Sequence, residues 1–153
     1  GREDLESARM REAGWREALD AAGVVPDPAL MRVVGYRPDL AEQAARELLA
    51  LPADARPTAI FAANDRSALP VLEVAAEFGI RVPHDLSVIG YDDIPEAAIA
   101  SPPLTTIAQP LHDMGRSALA LMLDLLEGRE TERHLRLPTR LVERSTTAPL
   151  ARP

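Results

Sequence analysis

Two pairs of adjacent polar residues, each directly after an apolar run, are the first candidates for binding chemistry. Asn64 and Asp65 end the run TAIFAA, and Asp92 and Asp93 end the run LSVIGY. Neither run alternates with polar residues, which is typical of strands covered on both faces of a parallel sheet. Such sheets bind ligands beyond the carboxyl ends of their strands, so both pairs are predicted to border one crevice. One member of either pair could instead cap the helix that follows it.

Arg11 and Tyr36 add a cation and an aromatic ring to these candidates. Arg11 lies three residues after Ala8 and four before Trp15, on the apolar face of a helix predicted over residues 5–22. A cation near a helix N-terminus meets the unfavourable end of the helix dipole. This arginine could therefore extend to solvent, pair with a buried acid, or offer its planar fork of donors to a ligand. Tyr36 closes a further predicted strand, LMRVVGY.

The sequence contains no motif that indicates catalysis or a cofactor. It has no glycine-rich phosphate loop, no G-x-S-x-G nucleophile turn and no cysteine. His84, His112 and His134 lack the spacing of metal ligands. Asp92 and Asp93 are adjacent on a strand end and should point in opposite directions, unlike a general acid–base couple. We therefore expect a protein that is not an enzyme and that holds no metal and no cofactor.

Strand and helix patterns alternate along the chain, which predicts a doubly wound α/β fold with a mostly parallel sheet. The predicted helices cover residues 5–22, 39–51, 67–78 and 110–127. The predicted strands cover residues 30–36, 58–63 and 86–91, followed by a loop through ASPPLTTIAQ and two short terminal strands within residues 133–146. Asp39 and Glu42 have the spacing of a capping box at the start of the second helix.

The composition suits one globular domain and argues against several kinds of partner. The 153 residues carry a formal net charge of -7, and all 17 basic residues are arginine. An acidic chain without a basic stripe is a poor nucleic-acid binder, because phosphate neutralisation supplies most of that affinity. No apolar run approaches the ~20 residues needed to span a bilayer, so no membrane contact is expected. The absence of cysteine suits a cytoplasmic protein.

Several longer motifs, taken together, resemble one family of bacterial proteins. They are PTAIFAAND, RVPHDLSVIGYDD, SPPLTTIAQP and LPTRLVERSTTAP, in this order and spacing. Over essentially the whole chain they resemble the lactose/galactose-repressor (LacI/GalR) family of transcription regulators. The resemblance implies the C-terminal part of an effector-binding domain with a periplasmic-binding-protein-like fold, a three-layer α/β/α Rossmann-like lobe. It also implies that a DNA-binding helix-turn-helix and a first lobe precede this chain.

The same resemblance assigns roles to individual residues. The implied effector-binding residues are Arg11, Tyr36, Asn64, Asp92 and Gln109. The implied effector is a sugar or a related small polar molecule, and carboxylate, guanidinium and amide groups suit a polyhydroxylated ligand. Asp65 and Asp93 are then interpreted as helix caps or structural acceptors. The alternative is a lobe of a secreted sugar-binding protein of an uptake system, which shares the fold.

The resemblance also divides the chain and places a homodimer contact. It implies a C-terminal lobe over residues 1–109, a helix over 110–128 that packs on the first lobe, and returning strands over 129–153. The implied dimer-contact residues are Leu69, Leu72, Val74, Ile94, Ala97 and Ala98. Without the first lobe, the helix over 110–128 is expected to pack on a neighbouring chain, exchange with a symmetry mate, or fold back on its own lobe. Operator DNA would be contacted only through the preceding N-terminal domain.

Overall fold

The computed structural model describes residues 1–2, 4–129 and 134–149, and within them four strands form one sheet. The strands are β1 (Ala59–Phe61), β2 (Ser87–Asp92), β3 (Thr105–Ala108) and β4 (Arg140–Val142). They lie in the order β1-β2-β3-β4, with β1, β2 and β3 parallel and β4 antiparallel to β3. The predicted α/β class and the mostly parallel sheet are confirmed.

Five α-helices accompany the sheet in the described part of the chain. They are α1 (Glu6–Ala21), α2 (Pro38–Leu49), α3 (Asp65–Glu77), α4 (Pro95–Ile99) and α5 (Leu111–Leu126), with a 3-10 turn at Pro28–Leu30. α2 packs on α3, and α3 packs on β2. The core includes the buried residues Leu49, Val71, Val74, Val88 and Leu104. Removing this apolar surface from water is the main source of stability for the lobe.

The boundaries of α3 follow from its sequence. Asn64 precedes the helix, and its side-chain Oδ1 accepts a hydrogen bond from the backbone N–H of Ser67 at 3.0 Å. At the other end, Gly79 follows the helix with a φ angle of 67°, a left-handed conformation that favours glycine. The helix start is therefore set by an amide cap and the helix end by a glycine.

The strand predicted over residues 30–36 is wrong. The chain forms a 3-10 turn at Pro28–Leu30, the next residues join no strand of the described sheet, and Gly35 and Tyr36 turn with φ angles of 59° and 63°. Without this neighbour, β1 lies at the edge of the described sheet and is partly exposed rather than covered on both faces. Turn-forming residues on both sides of MRVV outweigh its β-branched residues.

Three other local predictions also need correction. The segment ASPPLTTIAQ, predicted as a loop, contains β3, because its Thr-Thr-Ile run pairs parallel to β2. Of the two terminal strands predicted within 133–146, one forms in the described residues, β4, while residue 133 lies outside them. α2 begins with Pro38 in its first turn and without a side-chain cap, and Asp39 pairs with Arg37 instead of forming a capping box.

Thr146 ties the end of the chain to the two central strands. Its Oγ1 donates to the carbonyl of Val88 at 2.6 Å and accepts from the N–H of Thr105 at 2.8 Å. Its own carbonyl accepts from the N–H of Val88 at 2.7 Å. Since Thr146 has no exposed area, these bonds are shielded from water. The terminal segment therefore fixes β2 against β3, the strands that carry the polar residues described next.

Candidate ligand-binding site at the strand ends

Three chain segments deliver polar side chains to the carboxyl ends of the parallel strands. Asn64 follows β1, Asp92 ends β2, and Gln109 follows β3 directly. Because these strands are adjacent and parallel, their ends meet at one edge of the sheet. Arg11 reaches the same edge from α1, where its Nη1 donates to the carbonyl of Ala63 at 2.6 Å. The structure therefore brings four of the five predicted effector residues to one place.

Asp92 is the centre of this cluster. Gln109 Nε2 donates to Asp92 Oδ1 at 2.6 Å, and Arg11 Nη2 lies 3.6 Å from the same oxygen. The Arg11 and Asp92 side chains are 14% and 28% exposed, so their attraction is screened less than that of a surface pair. Of the alternatives for Arg11, pairing with a partly buried acid is observed and extension to solvent is not. Asp92 Oδ2 accepts no hydrogen bond from the described residues.

The backbone at Asp92 and Asp93 is strained. Their φ angles are 115° and 60°, values that residues with a Cβ atom rarely adopt. Such a conformation costs about 1–3 kcal/mol and persists where surrounding contacts enforce it, often at ligand sites. The turn sends the two carboxylates to different partners, as predicted, because Arg144 Nη2 donates to Asp93 Oδ1 at 2.6 Å. Asp93 is a structural acceptor, whereas Asp92 belongs to the cluster.

Asn64 has a structural role at the start of α3 as well as its place beside the cluster. It is 8% exposed, and its Oδ1 is occupied by the hydrogen bond that caps the helix. The capping alternative is therefore observed for this residue. Its Nδ2 group can still donate to a ligand, and its Oδ1 keeps one lone pair beside the capping hydrogen bond.

Asp65 is a structural acceptor with no exposed area. Its Oδ1 accepts from Thr106 Oγ1 at 2.6 Å, and its Oδ2 accepts from the N–H of Ile94 at 2.9 Å. Burial raises the pKa of Asp65 above its ordinary value, and the charge of Asp92 adds to the increase, while the hydrogen bonds oppose it. One carboxylate thereby joins the start of α3, β3 and the start of α4.

Tyr36 lies beside the start of α1. Its hydroxyl oxygen is 2.8 Å from the position that a Cβ on Gly1 would occupy, and Ala8 borders the same position. This hydroxyl is buried, and no hydrogen-bond partner for it lies among the described residues. Among the described contacts none joins Tyr36 to Asp92 or Gln109, so the effector contact implied for Tyr36 stays a prediction.

Tyr91 is the aromatic residue of the cluster that sequence reasoning missed. Arg11 Cζ lies 3.8 Å from the centroid of the Tyr91 ring, well within the range of a cation–π contact. The sequence feature that could have identified Tyr91 is its position directly before Asp92, in the GYDD motif at the end of β2.

A groove of about 400 Å³ extends from the cluster toward α5. Its lining includes Asp92, Asp93, Gln109, His112, Asp113 and Arg140. Apolar residues, namely Ala108, Pro110, Leu111 and Pro138, complete the lining. Such a mixture of apolar surface and a few polar groups suits a small ligand with polar substituents. Within the residues that the structure describes, no three histidine or acidic side chains gather closely enough to hold a metal ion.

Three of the six predicted dimer-contact residues lie inside this chain. Leu72 is 5% exposed, and Val74 and Ala97 have no exposed area because they pack in the core. A side chain without exposed area in the single chain cannot contact a second copy, so the prediction is wrong for Val74 and Ala97. Leu72 offers little surface to a second copy, and its contact stays a prediction. The remaining predicted contact residues, which are exposed or half-buried, are Leu69, Ile94 and Ala98.

α5 has no buried residue. Its exposed apolar side chains are Leu111, Met114, Leu119, Met122, Leu123, Leu125 and Leu126, each between 43% and 76% exposed. The helix therefore does not fold back over its own lobe, which was one of the predicted alternatives. Contact with a neighbouring chain and exchange with a symmetry mate stay predictions. So large an apolar surface on one helix indicates a partner that covers it.

Comparisons with known proteins agree with this architecture. The sequence profile of the periplasmic binding protein-like domain matches residues 1–147. The HTH-type transcriptional repressor CytR of Escherichia coli (strain K12) is 38% identical over 128 residues, which are 84% of this chain and 37% of CytR. A solved complex of the transcriptional regulator CelR with cellobiose has a TM-score of 0.86 at 40% identity, over 95% of this chain and 44% of that one. The lac repressor dimer bound to operator and the anti-inducer ONPF has a TM-score of 0.80 at 34% identity, over 95% of this chain and 49% of that one.

The mostly parallel sheet, with its polar cluster beyond the strand ends, defines a lobe of the periplasmic-binding-protein-like class. The chain belongs to the periplasmic binding protein-like family and, within it, to the effector-binding domains of LacI-family regulators. It spans less than half the length of these relatives. The relatives named above are transcriptional regulators or repressors. In the described part of this chain, no helix combines the length and the apolar character needed to cross a membrane.

Proposed function

We propose that this chain is the effector-sensing and dimerisation part of a LacI-type DNA-binding transcriptional regulator, and that it is not an enzyme. The observation that carries this proposal is the network of Arg11, Asp92 and Gln109 at the strand ends. It combines a carboxylate with one unused oxygen and a guanidinium with unused donors, held in place by the backbone and by each other. Such a group of fixed donors and acceptors recognises a ligand, and it contains no nucleophile beside a base.

The proposed effector is a small, neutral, polyhydroxylated molecule, most simply a sugar. Asp92 Oδ2 can accept from ligand hydroxyls, and Arg11 can donate through the N–H groups that it does not use at Ala63. Gln109 Oε1 and Asn64 Nδ2 add one acceptor and one donor. The charges of Arg11 and Asp92 cancel, which favours a neutral ligand over an anion. The CelR complex supports a saccharide, because that relative was solved with cellobiose.

The proposed regulator uses the remaining parts of this chain for assembly. Residues 1–109 form the C-terminal lobe, the segment 110–128 packs on a first lobe, and residues 129–153 return to the C-terminal lobe. The uncovered apolar face of α5 supports this division. A homodimer forms through Leu69, Ile94 and Ala98, and operator DNA is bound by a separate N-terminal domain. The lac repressor, which was solved as a dimer bound to operator, supports a dimeric protein that binds DNA.

The proposed regulator works in the cytoplasm, where its operator lies, and needs no cofactor. The uptake-protein alternative receives less support, since the relatives named above are regulators and repressors. A secretion signal ahead of the first lobe, in place of DNA-binding helices, would favour that alternative.

A DNA-binding measurement tests the proposal. The protein with its proposed N-terminal domain is titrated by fluorescence anisotropy against the promoter region of its own gene, with and without saturating cellobiose or another neutral sugar. We expect salt-dependent, sequence-specific binding that a responsive sugar changes by about 5- to 150-fold. This chain alone, with its net charge of -7, should not bind the same duplex. Specific, saturable binding by this chain alone, or no specific binding by the longer protein, contradicts the proposal.

A further inference from the structure

Three contacts hold the guanidinium of Arg11, and each comes from a different direction. Nη1 donates to the carbonyl of Ala63 at the end of β1, at 2.6 Å. Nη2 lies 3.6 Å from Asp92 Oδ1, too long for a hydrogen bond but close enough for an ion pair. Cζ lies over the Tyr91 ring, 3.8 Å from the ring centroid, and at so short a distance the planar group must lie nearly flat on the ring. Two contacts thus act in the guanidinium plane, and one acts on its face.

The in-plane contacts leave the orientation of the guanidinium incompletely fixed. A single hydrogen bond to Ala63 allows rotation about the donor–acceptor direction, and a 3.6 Å ion pair with Asp92 has little directional preference. α1 has no buried residue, so the helix itself adds little restraint to the Arg11 side chain. A flat ring against the face of a flat cation prevents that rotation, because tilting the group breaks the stacked contact.

We infer that Tyr91 is a positioning residue, which fixes the plane in which Arg11 presents its unused N–H donors to the effector. The expected effect of Tyr91 on effector binding rests on the proposed function. The orientation of the Arg11 guanidinium by the Tyr91 ring concerns this chain alone. Arg11 has five N–H donors, and Ala63 takes one of them. With one face covered by Tyr91, a ligand oxygen must approach the free edge of the guanidinium in its plane. The tyrosine hydroxyl has no part in this, so the ring is sufficient.

Arginine NMR on this chain tests the geometric part. N–H groups that lie over an aromatic face resonate upfield, and Arg11→Lys identifies the Arg11 signals by removing them. We expect upfield Arg11 Nη–H signals in the wild type, their loss in Tyr91→Met, which fills a similar volume without a ring, and their rescue in Tyr91→Phe. Phe78→Met is the matched control, because it removes an exposed aromatic residue outside the cluster and should leave the Arg11 signals in place. If Tyr91→Met does not fold, Tyr91→Leu takes its place.

The inference is overturned if the wild-type Arg11 signals are not shifted upfield, or if Tyr91→Met retains the shift. A cellobiose titration of the protein with both lobes tests the consequence. Tyr91→Met should bind cellobiose about tenfold more weakly than the wild type, and Tyr91→Phe should restore the affinity. Equal affinity in Tyr91→Met and the wild type also overturns the inference. Wild-type protein that does not bind cellobiose counts against the proposed effector, while the NMR result still decides the role of Tyr91.

Discussion

The carboxylate of Asp65 lies directly against the backbone of Gly90. A Cβ atom added to Gly90 would come within 2.1 Å of Asp65 Oδ1 and 3.0 Å of Leu104 Cδ2. A side chain at position 90 would therefore displace Asp65 from Thr106 and Ile94, the two groups that its oxygens accept from. Gly90 is thus required because Asp65 occupies the space of a side chain there. Asp65 in turn holds the backbone after β2 through the N–H of Ile94.

Gly90→Ala should destabilise the lobe by at least about 2 kcal/mol, because the added methyl group overpacks the core and separates Asp65 from its donors. Urea unfolding followed by circular dichroism measures this difference. Gly115→Ala in α5 is the matched control, since no atom lies within 4 Å of its added Cβ. Alanine is favoured over glycine inside a helix by about 0.5–1 kcal/mol, so the control should be neutral or stabilising. Equal stability of the two variants contradicts this account of Gly90.

Asp65→Asn should change how stability depends on pH. Burial raises the folded-state pKa of Asp65 above its ordinary value of 3.8, so the folded state holds this proton more tightly than the unfolded state. The contribution of Asp65 to the free energy of unfolding is therefore largest below pH 3.8 and falls as the pH rises through the raised pKa. Asp65→Asn removes this fall, so its stability relative to the wild type should increase as the pH rises across that window.

Asp85→Asn serves as the control for that measurement, because the pKa of Asp85 is shifted in the opposite direction to that of Asp65. The hydrogen bonds from Arg81 lower the pKa of Asp85, whose stabilising contribution is therefore present above its ordinary value of 3.8 and lost as the pH falls. Urea unfolding of the wild type and both variants between about pH 3 and pH 7 compares the three profiles. Parallel profiles for Asp65→Asn and the wild type contradict the raised pKa of Asp65.

Ala98→Glu should convert the proposed dimer to a monomer without unfolding it. Ala98 is exposed at α4, so a carboxylate there is solvated in the single chain but is buried at the proposed contact. Val74→Glu should instead unfold the chain, because Val74 has no exposed area. Light scattering and circular dichroism separate these outcomes. A folded Ala98→Glu variant with the wild-type mass places the dimer contact elsewhere.

The uncovered face of α5 should make this chain self-associate when no first lobe is present. In the Ala98→Glu background, sedimentation velocity is expected to show association that depends on concentration. Leu119→Glu combined with Leu126→Glu should abolish it, because these side chains are 53% and 76% exposed. His112→Glu on the same helix is the control, since its side chain is already 91% exposed and polar. A monomer at all concentrations before these changes shows that α5 needs no partner.

The sequence was informative where a side-chain type conflicted with its surroundings. Arg11 on an apolar helix face and Asp92 after an apolar strand each required a special explanation, and both lie in the cluster. Asn64 was identified together with its capping alternative, and the structure shows the cap. The class of fold followed from the alternation of strands and helices, which depends on patterns over many residues and tolerates local errors.

The remaining features depend on neighbours that a local pattern does not contain. The residues before Gly35 have strand-like types but find no strand to pair with, whereas the Thr-Thr-Ile run of β3 finds β2. Apolar residues surround most of α3, so the pattern could not show that Val74 faces the core of its own lobe. The contact between Tyr91 and Arg11 joins residues 80 positions apart and follows only from the assembled lobe.

The most direct test of the central claim is calorimetric titration of the two-lobed protein with neutral sugars and nucleosides, cellobiose first. Asp92→Asn is compared with the wild type, because asparagine tolerates a positive φ and removes the charge alone. Asp85→Asn, outside the cluster, is the matched control. We predict that at least one neutral polyhydroxylated compound binds the wild type and the control, and that Asp92→Asn weakens this binding about 10- to 100-fold with unchanged thermal stability. Binding that is equally strong in Asp92→Asn, or no binding by any of these compounds, would contradict the account.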